Sequence, residues 1–405
     1  MGPVSRGSDP RPLDPPDPFA PARLGPVTLP NRIIKAATFE GMTPDHMVTD
    51  RLVDFHRAVA RGGVGMTTLA FCAVSADGCG TPNEIILGGE ALPGLRRLAD
   101  AVHAQGAAAS AQIGHAGAVA SSTGRRGLSP SPIFTGRSLW RTRAASEADI
   151  ARIIDDFARA ARLVAESGFD AVEVHLGHGY LPSEFLSPRL NRRTDRWGGS
   201  LENRARFARE IVRAVRAAGG PRLAVLAKLN MADGVPGGLW LDESVAAARL
   251  LEADGALDAI ELTGGSSLEN PMYLLRGEAP IAEMAALAPP PARLALRWFG
   301  RRLFREYPFE EAYFLPYARE FRAALGLPLI LLGGINRLET LRRAMAEGFE
   351  FVAMGRALLR EPDLVNRLRS GASREALCVH CNKCVPTIYR GTHCVLAPPT
   401  PGAGR

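Results

Sequence analysis

The chain has 405 residues, 46% apolar and 22% charged, enough to bury a sizeable core in a single α/β domain. Its formal charge of +7 comes from arginines interleaved with acids along stretches such as "RIIDDFARAARLVAES", a pattern of solvated helix faces that argues against a nucleic-acid surface. No run reaches the roughly eighteen apolar residues of a membrane span, and the Pro-rich residues 1–22 lack the apolar centre of a signal peptide, so a disordered tail on a cytoplasmic protein is expected.

Beyond that tail, short apolar runs alternate with longer amphipathic ones. Strands are expected at 32–37, 65–74, 107–114, 171–176, 223–229, 257–262, 328–333 and 349–355, and helices near 50–61, 92–105, 150–164, 200–217, 242–253, 311–325 and 336–347. Eight such units predict a (β/α)8 TIM barrel over 23–370. The rival doubly wound sheet calls for a GxGxxG turn after its first strand, and none follows.

A barrel gathers its functional residues where strands end on one face. There the third strand offers Gln112, the fourth "HLGHGY" with His175, His178 and Tyr180, and the fifth Lys228, one of only three lysines among 49 basic residues. The seventh and eighth end in "GGI", with Gly333 and Gly334, and "MGR", with Gly355 and Arg356, turns whose backbone N–H groups suit a phosphate. Each residue has a packing reading: Gln112 closing the barrel mouth, Lys228 paired with a buried carboxylate, Tyr180 against the next turn. The two histidines as metal ligands lack a third. Their coincidence at successive strand ends favours a site.

The segments "LPNRIIKAAT", "AQIGHAG", "EVHLGHGYLPSEFLSPRLNRRTDRWGGSLENRARF", "GGI" and "AMGRALL" resemble the flavin-binding barrel of the old yellow enzyme family of NAD(P)H:flavin oxidoreductases. The similarity covers about residues 20–370, in the branch of 2,4-dienoyl-CoA reductase and trimethylamine dehydrogenase. It implies FMN, with Ala37 and Thr38 beside the ring, Gln112 and Lys228 at its pyrimidine edge, and the phosphate on Gly333, Gly334, Gly355 and Arg356. It implies NAD(P)H as hydride donor and an activated alkene as substrate. His175 and His178 then bind the substrate's carbonyl or nitro oxygen, His175 also touching the flavin, and Tyr180 protonates the carbon alpha to it. Three positions depart from the family pattern: Lys228 stands where most relatives have arginine, Phe39 stands where relatives place a threonine or cysteine at flavin O4, with Thr38 one place early, and Phe71 stands where small residues are usual.

Residues 266–313 make a βα connection long enough for a lid, and "LALRWFGRRLF" within them is a basic amphipathic run. A lid or partner surface is the preferred reading over a helix lying on a membrane, and no membrane contact is expected. In the Cys-rich segment 371–405, Cys378, Cys381, Cys384 and Cys394 suit a [4Fe-4S] cluster or a structural zinc, against the plain reading of free thiols. In the larger relatives a cluster passes electrons to a second flavin domain. The chain ends about ten residues after Cys394, so a cluster here is expected either to need a separate electron-transfer partner or to be a structural remnant. The expected activity is an FMN-dependent ene reductase. The alternatives are a demethylase or dienoyl-type reductase feeding electrons through the cluster, and a non-catalytic flavin- or metal-binding partner. A homo-oligomer is compatible with all three.

Overall fold

The computed structural model describes residues 15–123, 126–135 and 140–397; residues 1–14 of the expected N-terminal tail and 398–405 of the Cys-rich segment lie outside them. Eight parallel strands, β1 Ile33–Lys35, β2 Met66–Ala73, β3 Ala108–Gly114, β4 Ala171–Leu176, β5 Ala224–Asn230, β6 Ala259–Thr263, β7 Leu329–Leu332 and β8 Phe351–Met354, pair in chain order, and β8 pairs back with β1 to close the barrel. The principal helices are α1 Asp50–Arg61, α2 Leu92–His103, α3 Glu147–Glu166, α4 Leu201–Gly219, α5 Leu241–Ala253, α6 Leu315–Ala324, α7 Leu338–Ala346 and α8 Leu364–Ser370.

All eight expected strands form. β4 has the expected bounds, and most of the others are trimmed at their ends. Helix starts follow local chemistry: Thr49 Oγ1 accepts from Leu52 N, Ser146 and Asp149 form a capping box, and Ser200 caps Asn203 N. α6 starts at Leu315, later than the expected 311, because Ala312 takes a left-handed φ of 54° while its N–H bonds Gly334 O at 2.9 Å. Ala22, placed in the tail by sequence, opens a strand, Ala22–Leu24, that forms a hairpin with Val27–Leu29. None of the helices among the described residues is long and apolar enough to cross a membrane.

Strand side chains alternate between the barrel interior and the helix layer. The lowest interior residues, Ile34, Met66, Ala108, Ala171, Ala224, Leu226, Ala259, Ile330 and Phe351, form a dry plug that the hairpin's Leu24 and Leu29 cap from below. Continuing the same alternation upward brings Gln112, Glu173, Lys228 and Glu261 inward, and above them Gly114, His175, Asn230 and Thr263. Packing fills the base and leaves the polar layers to the mouth.

Candidate functional site

The middle layer is a buried charge cluster. Lys228 Nζ lies 3.1 Å from Glu173 Oε1 and 2.5 Å from Glu261 Oε1, in ion-pair contact but aligned for a hydrogen bond to neither. Gln112 Nε2 donates to Glu173 Oε1 at 2.6 Å. One ammonium therefore faces two carboxyls with all three groups out of water. Burial, reinforced by the neighbouring Glu173, pushes the Glu261 carboxyl well above its usual range. Burial opposes the charge on Lys228, yet the two carboxylates outweigh it and hold the ammonium above its ordinary value. The sequence reading of Lys228 as a buried lysine paired with a carboxylate is met twice over. Gln112 bonds inward to that pair.

Above this layer the "HLGHGY" loop brings its three side chains together. Ring centroids lie 4.9 Å apart for His175 and His178, and 4.7 Å apart for His175 and Tyr180. His178 has a left-handed φ of 60°, a strained conformation for a residue with a Cβ. It is held by its own N–H on Asn230 Oδ1 (3.1 Å), its carbonyl accepting from Ser267 N (2.8 Å), and its ring Nε2 within 2.8 Å of Thr263 Oγ1. His175 is buried and its Nδ1 has no hydrogen-bond partner among the described residues. Burial first, then His178 and Lys228, holds His175 well below the usual imidazole range; burial and Lys228 push His178 down to about 3. Both rings are neutral at every physiological pH.

Phe71, flagged as a departure, stacks on Tyr180 with centroids 5.0 Å apart and planes 24° apart. It can do so because β3 ends in glycine: a Cβ on Gly114 would lie 2.4 Å from Phe71 Cε2. Phe39, Ala37 and Ile86 pack around the same pair. Thr38 turns its hydroxyl onto Ala36 O at 3.2 Å and lies nearest the open side of Gly355, where a Cβ would stand 3.5 Å away.

Gly333 and Gly334 adopt φ of 115° and 69°, and Cβ atoms there would strike Phe314 and Tyr313. Arg356 Nη1 donates to Arg276 O at 3.0 Å and also to Asn382 Oδ1. Arg276, which sequence reasoning missed, comes from the 266–313 insertion. Its guanidinium lies 5.1 to 5.3 Å from the rings of Tyr273, Tyr307 and Tyr313, and its Nε is buried without a hydrogen-bond partner. Among the described residues neither Arg276 nor Arg356 has an ion pair. Two uncompensated cations thus sit together beside the glycine turns.

The Cys-rich segment docks over this corner. Asn382 Nδ2 donates to Arg276 O and Glu278 O, Lys383 pairs with Glu283 at 3.0 Å, and Thr392 Oγ1 donates to Phe39 O. His380 stacks on Phe309 with centroids 3.5 Å apart. Cys378, Cys381, Cys384 and Cys394 all line one cavity of about 20 Å³ with Arg356. Burial, and then the neighbouring thiols, pushes Cys384 up to about 11 against the pull of Arg356. Among the described residues no three His, Cys, Asp or Glu side chains are placed to hold a single metal ion.

Residues 17–261 match the NADH:flavin oxidoreductase / NADH oxidase family. The chain is 56% identical to the 4,4'-dithiodibutanoate disulfide reductase of Rhodococcus erythropolis, over 93% of this chain and 94% of that one. It is 30% identical to the multifunctional alkene reductase/demethylase OYE of Caballeronia cordobensis over 94% of this chain, and spans only 52% of that relative's length. Among solved structures, a 2-naphthoyl-CoA reductase complex superposes with a TM-score of 0.77 at 26% identity, covering 90% of this chain and 54% of the other.

Proposed function

The chain belongs to the NADH:flavin oxidoreductase / NADH oxidase family, and from that membership we propose that it is an FMN-dependent NAD(P)H oxidoreductase reducing small electrophiles at the His175, His178 and Tyr180 cluster. The residues present fit FMN. His175 Nδ1 is buried without a hydrogen-bond partner among the described residues, and the Lys228 ammonium and the Gln112 amide lie below it, groups that suit the pyrimidine edge of the ring. Gly333, Gly334, Gly355 and Arg356, joined by Arg276, suit a phosphate, and Ala37 and Thr38 line the near wall. When bound, FMN takes a hydride from NAD(P)H and delivers it to the acceptor.

The observation that carries the reading is the packing of two neutral imidazoles and a tyrosine around one point above Lys228. His175 and His178 donate hydrogen bonds to the oxygen of an enone, enoate or nitroalkene and stabilise the charge that develops there. Tyr180 supplies the proton to the carbon alpha to it. The Phe71 stack keeps the phenol in place.

A second acceptor class, small organic disulfides, is favoured by the 56% identity to the Rhodococcus enzyme. A hydride delivered to one sulfur breaks the S–S bond, giving one thiol and one thiolate, with two electrons consumed. At the four cysteines we favour a [4Fe-4S] cluster over zinc. The C-x2-C-x2-C spacing of Cys378, Cys381 and Cys384 suits a cluster, and all four thiols line one cavity.

The test is anaerobic reduction by NADH or NADPH, then rapid mixing with cyclohexenone, a nitroalkene or 4,4'-dithiodibutanoate. Flavin reoxidation by at least one acceptor is expected. Reoxidation by none of them above the anaerobic control refutes the proposal.

A further inference from the structure

The insertion carries one feature that flavin chemistry does not use. Between Glu283 and Glu306 the 22 intervening residues contain five arginines and no acid. Within this run the helix Pro290–Leu303 stands on the surface with Gly300 as its one buried residue among those described, pressed where a Cβ would meet Ile281 at 2.6 Å. Trp298 is 76% exposed, Leu294 59% and Phe299 55%, a concentration of large apolar side chains that a solvated helix face does not carry.

The helical period sorts these residues. At about 100° per residue, Leu294, Ala295, Trp298 and Phe299 fall on one side, and Arg293, Arg297 and Arg301 form an adjoining strip, with Arg302 alone interrupting the apolar side. The side resting on the protein is neither of these; it is the one through Gly300, with Ala292 and Leu296 half-buried beside it. Among the described residues none of the five arginines is in an ion pair.

We propose that this helix lies on an anionic lipid surface, its Leu294, Trp298 and Phe299 entering the headgroup boundary and its arginines meeting lipid phosphates. The charge pattern selects that occupant: the helix's four arginines, Arg293, Arg297, Arg301 and Arg302, with no acid among them, repel a second copy of the same face, and aromatic residues flanked by arginine suit an interface that is apolar on one side and phosphate-rich on the other. The helix is too short and too charged to span a bilayer, so the contact is peripheral. It departs from the sequence expectation, which preferred a lid or protein-partner surface.

The test takes the full flavin-loaded chain and sediments it with vesicles of phosphatidylcholine containing about 30% phosphatidylglycerol, and with phosphatidylcholine alone. Binding to the anionic vesicles is expected, falling at least tenfold in the neutral ones and again as salt rises from about 0.05 to 0.5 M. Trp298→Ala with Phe299→Ala is expected to weaken it about tenfold or more, and Arg293→Gln with Arg297→Gln and Arg301→Gln about a hundredfold, at roughly fivefold per guanidinium. NAD(P)H-driven flavin reduction is expected to stay unchanged in both variants. Equal binding of the unaltered protein to the two vesicle types overturns the proposal without recourse to any variant. A Trp298→Ala/Phe299→Ala protein that loses a dimer in sedimentation velocity while vesicle binding is unaltered also overturns it, and assigns the face to a second copy.

Discussion

Replacing Lys228 by methionine tests whether the barrel's middle layer is the charge cluster described. The ammonium stands 3.1 and 2.5 Å from the carboxyls of Glu173 and Glu261, and all three groups are buried. Breaking a buried pair by deleting one partner costs about 3–5 kcal/mol, because the remaining charge has no compensation. Here it can escape that penalty by keeping protons, so the loss depends on pH. Glu261 already titrates above its unfolded range, so the stability it contributes is complete below about pH 4 and is lost as pH rises towards its folded value. Without Lys228 the pull that lowers Glu261 is gone, and the deficit relative to wild type is expected to grow by about 1.4 kcal/mol per pH unit for each additional proton the cluster holds. Thermal melts with excess FMN at pH 5, 6.5 and 8 would show a loss within error at pH 5 and a loss of roughly 3–6 °C at pH 8. Weakened flavin binding alone would lower the melt without that slope. Adding Glu173→Gln and Glu261→Gln to the variant is expected to flatten it. A Lys228→Met deficit that does not change with pH refutes the reasoning.

Tyr180→Phe is expected to spare flavin reduction by NAD(P)H and slow enone reduction by about 10²- to 10⁴-fold in rapid-mixing traces, leaving nitroalkenes near wild type. Because burial holds His175 and His178 neutral, acceptor binding measured by flavin spectral shifts is expected to be flat from about pH 5.5 to 8; a step near 6.5 would mean that an imidazole titrates in that range. Arg356→Ala and Arg276→Ala are each expected to weaken FMN binding about tenfold to a hundredfold, seen as flavin lost on gel filtration at micromolar concentration; full retention in both removes them from the phosphate site. Alanine at Cys378, Cys381, Cys384 or Cys394 is expected to release iron from anaerobically purified protein, and less than about a tenth of an equivalent of any metal in the wild type would mean that the four thiols hold none.

The barrel was readable because each strand is a short apolar run and each main helix a periodic one. The site was partly readable for the same reason: period-two alternation puts His175 and Lys228 on the inner face. That rule also exposes Glu173 in "AVEVHL" and Glu261 in "AIELT", acids inside otherwise buried strands, and the strand-end search passed over them. Arg276 was less accessible. It reaches the glycine turns only because the insertion folds back through Tyr273, Tyr307 and Tyr313, contacts between residues up to 37 positions apart on the chain. The docking of the Cys-rich segment onto Phe39, some 350 residues upstream, left no local signal at all. Phe39 itself was read against a family position for flavin O4; in the fold its carbonyl anchors Thr392 and its ring joins the cluster around Phe71.

The protonation states at the mouth decide what Tyr180 is needed for, and so separate the two acceptor classes. A neutral imidazole donates a hydrogen bond well but is far too weak an acid to give up the proton, and neither His175 nor His178 is charged. On the proposed mechanism Tyr180, its ring beside His175, is then the acid within reach. The carbanion left when an enone accepts hydride is much more basic than a phenolate, so the proposed enone reduction would require Tyr180. A disulfide departs as an alkylthiolate, a base comparable to a phenolate (about 10) and far weaker than a carbanion, so the thiolate leaves without needing a proton from Tyr180. Tyr180→Phe is therefore expected to leave 4,4'-dithiodibutanoate reduction within about threefold of wild type while enone reduction collapses. Loss of both activities in parallel would show that the tyrosine positions the acceptor, through its stack on Phe71, and that proton donation is not its contribution.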